Sequence, residues 1–298
     1  MRVSEQGTQF VLRGDLRHSQ ASLAELTRRV SSGKRFEQLS DGPNEVVAAA
    51  RWADQQRLLS VYAENAERVQ SDLDNADNAL QRSSTLLARA VEIVQTARNP
   101  VDPTPRHVFA HELDMLREEL TALANTKTPD GRALFGGLAK NAVQYVDGTT
   151  TFVGDSSRVE RKIGTDLLID VATDGNVVFG FSAGDNVFAV LQRISSTLRA
   201  NEADPAKSVR SDDIDSLQRR AADVRAGLGS VGVRGETARR AHEVAVDAGL
   251  HAQAQRASLE DADIAETITQ LKEAQLSYEA NLAVLARVPG RTLIDFLA

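Results

Sequence analysis

Cysteine is missing from all 298 residues. Its absence excludes disulfides, iron–sulfur clusters, thiolate zinc sites and cysteine nucleophiles together, and it removes the usual hint of redox compartment. A cysteine-free chain passes from cytoplasm to exterior without redox chemistry. Aromatic residues are scarce, 4% of the chain against 42% hydrophobic. The core must therefore be built mostly from Leu, Val, Ile and Ala, which favours helix packing on helix over a large β-core. No apolar run approaches the length of a membrane span, and the N-terminus lacks the uninterrupted apolar core of a signal peptide. The formal charge is -7, with no stripe of Lys and Arg. Neither nucleic acid nor a membrane is an expected partner.

What the chain does have is heptads. From Leu12 to Val30 the apolar positions are Leu12, Leu16, Leu23, Leu26 and Val30, a thin seam on an otherwise polar helix. Gly33 stops that helix in a left-handed cap, and residues 34–39 read as a loop or short strand. Ser40-Asp41-Gly42-Pro43 opens the next helix. Tyr62, Val69, Leu73, Ala76, Leu80, Leu87, Val94 and Ala97 then lie on one four-three lattice, with Ala66, Ser83 and Ala90 between them. Read from Asn44 to Arg98, this helix is about 80 Å long at 1.5 Å per residue. Three prolines within residues 100–105 end it. A third helix, carrying Phe109, Leu113, Leu116, Leu120 and Leu123, folds back antiparallel.

The pattern changes after Lys127. Residues 131–184 are rich in Gly, Thr, Val and Phe, with hairpin-type dipeptides at Asp147-Gly148 and Asp174-Gly175. Residues 150–153, 167–171 and 176–179 read as short strands of an inserted antiparallel β-domain. Helix resumes near Asp185 with Val187, Leu191, Ile194 and Leu198. After a loop around Asp204-Pro205 comes a return helix with Ile214, Leu217, Ala221, Val224, Leu228 and Val231 on its seam. Ala238, Ala241, Ala245, Ala248 and Ala252 continue it. The last seam, Ile264, Ile268, Leu271, Tyr278, Leu282 and Leu285, is interrupted only by Gln275, and Pro289-Gly290 breaks it before an apolar tip containing Leu293, Phe296 and Leu297. The expected fold is mainly α: a long antiparallel helical coiled-coil rod built from N- and C-terminal segments, with a small inserted antiparallel β-domain. Its expected divisions are 1–42, a terminal assembly helix and loop; 43–130, rod helices; 131–184, the β-insert; 185–256, the returning rod; and 257–298, the second assembly helix.

Candidate chemistry is thin. Gly227-Leu228-Gly229-Ser230-Val231-Gly232 matches G-x-G-x-x-G, but a dinucleotide site needs a strand before that turn, and here the preceding pattern is helical. His107 and His111 share a helix face beside Glu112, yet no third metal ligand is evident. Asp261 with Asp263, and Asp212 with Asp213, stand where helices begin, where carboxylates complement the helix dipole. No catalytic, cofactor or metal site is expected, and the chain does not read as an enzyme.

The ends carry a resemblance. Ser31-Ser32-Gly33-Lys34-Arg35, followed by Ser40-Asp41-Gly42-Pro43, resembles the N-terminal signature of bacterial flagellins and their relatives, and residues 258–266, SLEDADIAE, resemble the matching C-terminal signature. Gly42 departs from the family, which usually has an acidic residue there. Residues 125–126, NT, with 131–137, GRALFGG, and the β-insert around Phe152-Val153-Gly154-Asp155 and 175–179, GNVVF, resemble the hook–filament junction branch of that superfamily. The resemblance implies a structural adaptor of the flagellum, extracellular, exported without a cleaved signal. It implies partners too: copies of itself, the first hook-associated protein, flagellin and a flagellar export chaperone. The thin terminal seams suit segments that order on binding. A minor filament flagellin is the neighbouring reading, and a secreted coiled-coil effector or adhesin a more distant one. The assembly interface falls on Leu12, Leu16, Leu23, Leu26, Val30, Ile264, Ile268, Leu271, Tyr278, Leu282, Leu285, Leu293, Phe296 and Leu297.

Overall fold

A computed structural model describes residues 2–36, 38, 42–99, 104–200 and 209–287. Among the described residues, seven α-helices and four short strands follow one another. They are α1 (Arg2–Ser32), α2 (Pro43–Ala97), α3 (Arg106–Ala124), β1 (Val143–Val146), β2 (Thr149–Phe152), β3 (Glu160–Lys162), β4 (Leu168–Asp170), α4 (Gly175–Val178), α5 (Val187–Ala200), α6 (Ser211–Glu260) and α7 (Ile264–Arg287). The chain divides into two compact units, Met1–Arg57 with Gly249–Ala298, and Leu58–Ala248. Both α2 and α6 are continuous helices that contribute to each unit.

In the larger unit the heptads do what their spacing predicts. Every apolar lattice residue of α2 from Tyr62 to Ala97 is buried, as are Ala66, Ser83 and Ala90. On α6, Leu217, Val224, Val231, Ala238 and Ala245 recur every seven residues and are all buried, while Ala221, Leu228 and Ala241 are half-buried beside them. One face of each helix enters a shared core with α3, α5 and the insert. Helices α3 and α5 lie together, and the buried Ser195 hydroxyl donates to the Ala110 carbonyl at 3.1 Å. The start of α3 is held by buried Arg106, which donates to the carbonyls of Asn99 at 2.9 Å and Thr104 at 3.0 Å. The scarce aromatics concentrate where helices meet the insert. Phe135, Phe179 and Phe188 are fully buried, with ring centroids 5.5 and 5.7 Å apart along that series.

The insert consists of two separate two-stranded hairpins rather than one sheet. Strands β1 and β2 pair antiparallel from Val143↔Phe152 to Val146↔Thr149. Asp147 (φ 49°) and Gly148 (φ 83°) turn the corner, both in the left-handed region that a two-residue hairpin loop of this hand requires. Strands β3 and β4 pair from Glu160↔Asp170 to Lys162↔Leu168. The strand expected over residues 176–179 is instead the short helix α4. Asp174 Oδ1 accepts from the Asn176 amide at 2.9 Å, a helix N-cap where a hairpin turn was read. Polar side chains fasten the insert to its helices. Asn125 Oδ1 accepts from the amides of Ala142 (2.9 Å) and Val143 (3.0 Å), and its Nδ2 donates to the Val143 carbonyl at 2.9 Å. Arg234 on α6 donates to the carbonyls of Asp170 and Ala172 and to the Thr173 hydroxyl, at 2.9, 2.7 and 2.8 Å.

The glycine motif lies inside α6, in unbroken helix, so it is not a strand–turn–helix loop. Its glycines differ in their surroundings. A methyl group placed on Gly227 would lie 2.9 Å from Val178 Cγ2 and 3.7 Å from Leu80 Cδ1, whereas Gly229 and Gly232 face open space. Replacing a solvent-facing helical glycine with alanine gains up to about 1 kcal/mol. Gly229→Ala and Gly232→Ala should each raise the denaturant midpoint of unfolding. Gly227→Ala should gain less or lose stability, because the added carbon presses on Val178.

Candidate assembly interface

The smaller unit brings the chain's two ends together. Helix α1 pairs with α7, and the pairing is antiparallel. Ser19 of α1 meets Asn281 of α7, with Asn281 Nδ2 donating to Ser19 Oγ at 2.8 Å. Seven residues further along α1 and seven residues back along α7, Leu26 and Ala274 line the same crevice with Ser22 and Ser277. Farther up, Trp52 and His251 meet edge-on with centroids 6.3 Å apart.

The predicted seam residues separate into two groups. Leu26 is buried, at 8% exposure. Leu12, Leu16, Leu23 and Val30 on α1, and Leu271, Tyr278 and Leu285 on α7, are half-buried. Ile264, Ile268 and Leu282 stay exposed, at 41%, 38% and 41%. Leu293, Phe296 and Leu297 lie outside the described residues. The least exposed line on α7 runs through buried Thr267 and half-buried Leu271, Ala274, Tyr278, Asn281 and Leu285. It keeps heptad spacing but is rotated from the apolar seam by roughly 50°, at 100° per residue. Thr267, Ala274 and Asn281 lie to one side of the apolar spacing of α7, and nothing local in the sequence shows that α1 packs on that side.

At the open end of this hairpin, an elbow ties the loop after α1 to the turn between α6 and α7. Gly33 (φ 70°) caps α1, its amide donating to the Arg29 carbonyl at 2.9 Å. Lys34 then pairs with Asp261 in an antiparallel bridge. The Arg35 amide donates to the Glu260 carbonyl at 2.6 Å, and the Ala262 amide to the Gly33 carbonyl at 2.9 Å. The two stretches that resemble family signatures are thus hydrogen-bonded to each other. Asp263 starts α7 as an N-cap, its Oδ1 accepting from Ala265 and Glu266 amides at 3.0 and 3.1 Å. Asp261 takes part through its backbone.

Glu260 stands at the centre of the elbow with its side chain 15% exposed. Its carboxylate reaches Lys34 Nζ at 3.3 Å and accepts from Arg256 Nε at 3.0 Å. Burial pushes this carboxyl up. The hydrogen bonds and charges of Arg256 and Lys34 outweigh it and hold the group below its ordinary value. Arg256 is a local i,i+4 partner, but no pattern in the sequence marked the contact with Lys34, which lies at the other end of the chain.

The remaining candidates resolve into structural contacts. Glu112 Oε1 accepts from Arg89 Nε at 2.7 Å. Asp213 accepts from Arg193 Nε at 2.7 Å at the start of α6. Among the described residues no three His, Asp or Glu side chains converge to hold a metal ion, and no helix is long and apolar enough to cross a membrane.

Residues 3–140 match the family model described as the bacterial flagellin N-terminal helical region. The chain is similar to flagellar hook-associated protein 3 of Escherichia coli K12, 22% identical over 213 residues, covering 66% of this chain and 67% of that protein. It is also similar to flagellar hook-associated protein 3 of Salmonella typhimurium LT2, 24% identical over 180 residues, 60% of this chain and 57% of that protein, less than two thirds of its length. A solved hook-associated protein structure from Vibrio parahaemolyticus aligns with a TM-score of 0.68 at 16% identity, over 74% of this chain and 100% of its own. At that identity the likeness is one of fold.

Two outcomes test the geometry. Leu26→Ala should weaken the pairing of α1 with α7 by about 2–3 kcal/mol, seen as faster amide exchange in both helices; Phe10→Ala, at 82% exposure, should leave exchange unchanged. Because the Glu260 carboxyl sits below its unfolded value, its contribution is present above about pH 4.3 and is lost as pH falls through the depressed folded value. Exchange protection of α1 and α7 should therefore fall on acidification, and less so in Glu260→Gln.

Proposed function

We propose, for a chain whose residues 3–140 match the model of the bacterial flagellin N-terminal helical region and which is similar to hook-associated protein 3, that it is a structural adaptor forming the junction between the flagellar hook and the flagellin filament. The observation that carries this reading is the α1–α7 hairpin with its apolar stripe only partly covered. Ile264, Ile268 and Leu282 stand exposed along one side of the pairing line. Exposed apolar area gains about 25 cal/mol per Å² when a neighbour covers it, so such a stripe is a surface for assembly.

On this reading Leu12, Leu16, Leu23, Leu26 and Val30 join Leu271, Tyr278 and Leu285 in the hairpin. Ile264, Ile268 and Leu282, with the tip residues Leu293, Phe296 and Leu297, meet neighbouring subunits. Those neighbours are copies of this chain, the first hook-associated protein on the hook side and flagellin on the filament side. Before assembly a flagellar export chaperone holds the chain, which leaves the cell without a cleaved signal. The insert projects from the helices and serves no catalytic purpose.

Electron microscopy of a strain lacking the gene tests the adaptor role. Hooks without filaments, with flagellin shed into the medium, is the expected result; intact filaments on the deletion strain would sink it. Complementation with Leu282→Asp should give secreted, folded protein that fails to restore filaments, because a carboxylate replaces part of the exposed stripe. Immunogold labelling should mark the junction alone. Label along the whole filament would make the protein a minor flagellin instead.

A further inference from the structure

The α1–α7 seam does little to specify its own register. Its inner line is Thr267, Leu271, Ala274, Tyr278, Asn281 and Leu285 on α7, opposite a partner helix whose leucine heptad is joined by Ser19 and Ser22. Apolar residues that recur every seven positions, as Leu16, Leu23 and Val30 do on α1 and Leu271, Tyr278 and Leu285 on α7, meet similar residues again after a slip of one heptad, so the apolar pattern discriminates weakly between registers. The Asn281–Ser19 hydrogen bond favours one register, but it is a single neutral contact. A charged contact at the helix ends would add to it.

The elbow is placed to supply one. Helix α1 ends at Ser32, two residues before the Lys34 bridge, and α7 begins at Ile264, three residues after the bridge partner Asp261. With Gly33 and Asp263 fixing the ends of the two helices, any displacement of the bridge is carried directly into both. An isolated pair of extended residues is too short to hold itself in water. What adds to it is Glu260, mostly buried, whose two carboxylate oxygens are taken by Lys34 from the loop after α1 and by Arg256 on α6.

We propose that Glu260 is the positioning residue that sets the register of α1 against α7, by locking Lys34 and Arg256 at the elbow. It touches none of the seam and acts through the bridge. The proposal rests on the reading of α1 and α7 as assembly elements, because register decides which apolar residues stay on the outer side of the hairpin.

The absence of native cysteine makes a direct test available in the full chain. Ser19→Cys with Asn281→Cys reports the observed register, and Ser19→Cys with Ala274→Cys reports a register slipped by one heptad. Each pair is equilibrated in a glutathione redox buffer at low protein concentration, and the intramolecular disulfide is quantified. In the parent background the first pair should form and the second should not. Adding Glu260→Ala should lower the ratio of the first disulfide to the second about tenfold, as expected when a charge-assisted pair is lost. The charge-reversed triple variant Lys34→Glu, Arg256→Glu, Glu260→Lys should recover most of that ratio. If Glu260→Ala leaves the ratio unchanged, or lowers both disulfides equally, Glu260 does not set register and the proposal falls. If the first pair fails to form in the parent, the hairpin itself is wrong, and the assembly reading falls with it.

Discussion

A helix with one apolar stripe cannot bury that stripe against itself, and this constraint governs both units of the protein. In the larger unit the stripes of α2 and α6 meet a third and fourth helix and an insert, so the lattice residues of α2 from Tyr62 to Ala97 and the central heptad line of α6 are driven to burial. In the smaller unit α1 and α7 have mainly each other. Two thin stripes facing across a single line leave most of their residues half-covered, and among the described seam positions of the terminal helices only Leu26 is buried. The difference lies in the number of neighbours. Seam composition alone would not separate Leu80, which is buried, from Leu282, which is exposed.

That difference divides the labour of the α7 stripe. The pairing line is rotated off its apolar centre, so Leu271, Tyr278 and Leu285 face inward while Ile264, Ile268 and Leu282 are left on the outer flank. A narrower stripe would have been satisfied by α1 alone. A broader one would have demanded a third helix within the same chain. The observed width holds the hairpin together and still leaves apolar surface for a neighbour.

Much of the fold was legible because heptad spacing is local information. The long reach of α2, the return of α3 and the seam of α6 follow from residues three and four apart, and Asp147-Gly148 announced its turn by conformational need. What escaped depended on partners distant in sequence or on competition between local options. Residues 176–179 have strand-like composition, yet the Asp174 carboxylate caps the amide of Asn176 and the segment coils into α4. Thr267 and Asn281 belong to the pairing line although neither is apolar. Neither the Glu260–Lys34 pair nor the grip of Arg234 on the end of β4 could be read locally, because in each the partners are far apart in sequence.

These polar contacts share a physical logic. Seams of Leu, Val and Ala repeating every seven residues provide cohesion, but cohesion of that kind is nearly indifferent to a shift by one repeat. A buried charge with a single satisfactory partner is not indifferent, since any other register leaves it desolvated and unpaired. In the larger unit Asp72 is buried 3.7 Å from Arg132, and burial pushes its carboxyl up while Arg132 and Arg161 work the other way. Arg234 fastens the β3–β4 hairpin to one height on α6 by three donated bonds. His242 Nδ1 lies 3.1 Å from the Ala63 carbonyl and marks one alignment of α6 with α2. Each contact contributes little cohesion of its own beyond its desolvation cost. Their value is that a slipped alignment loses all of them at once, which makes one register of otherwise repetitive helices the preferred one.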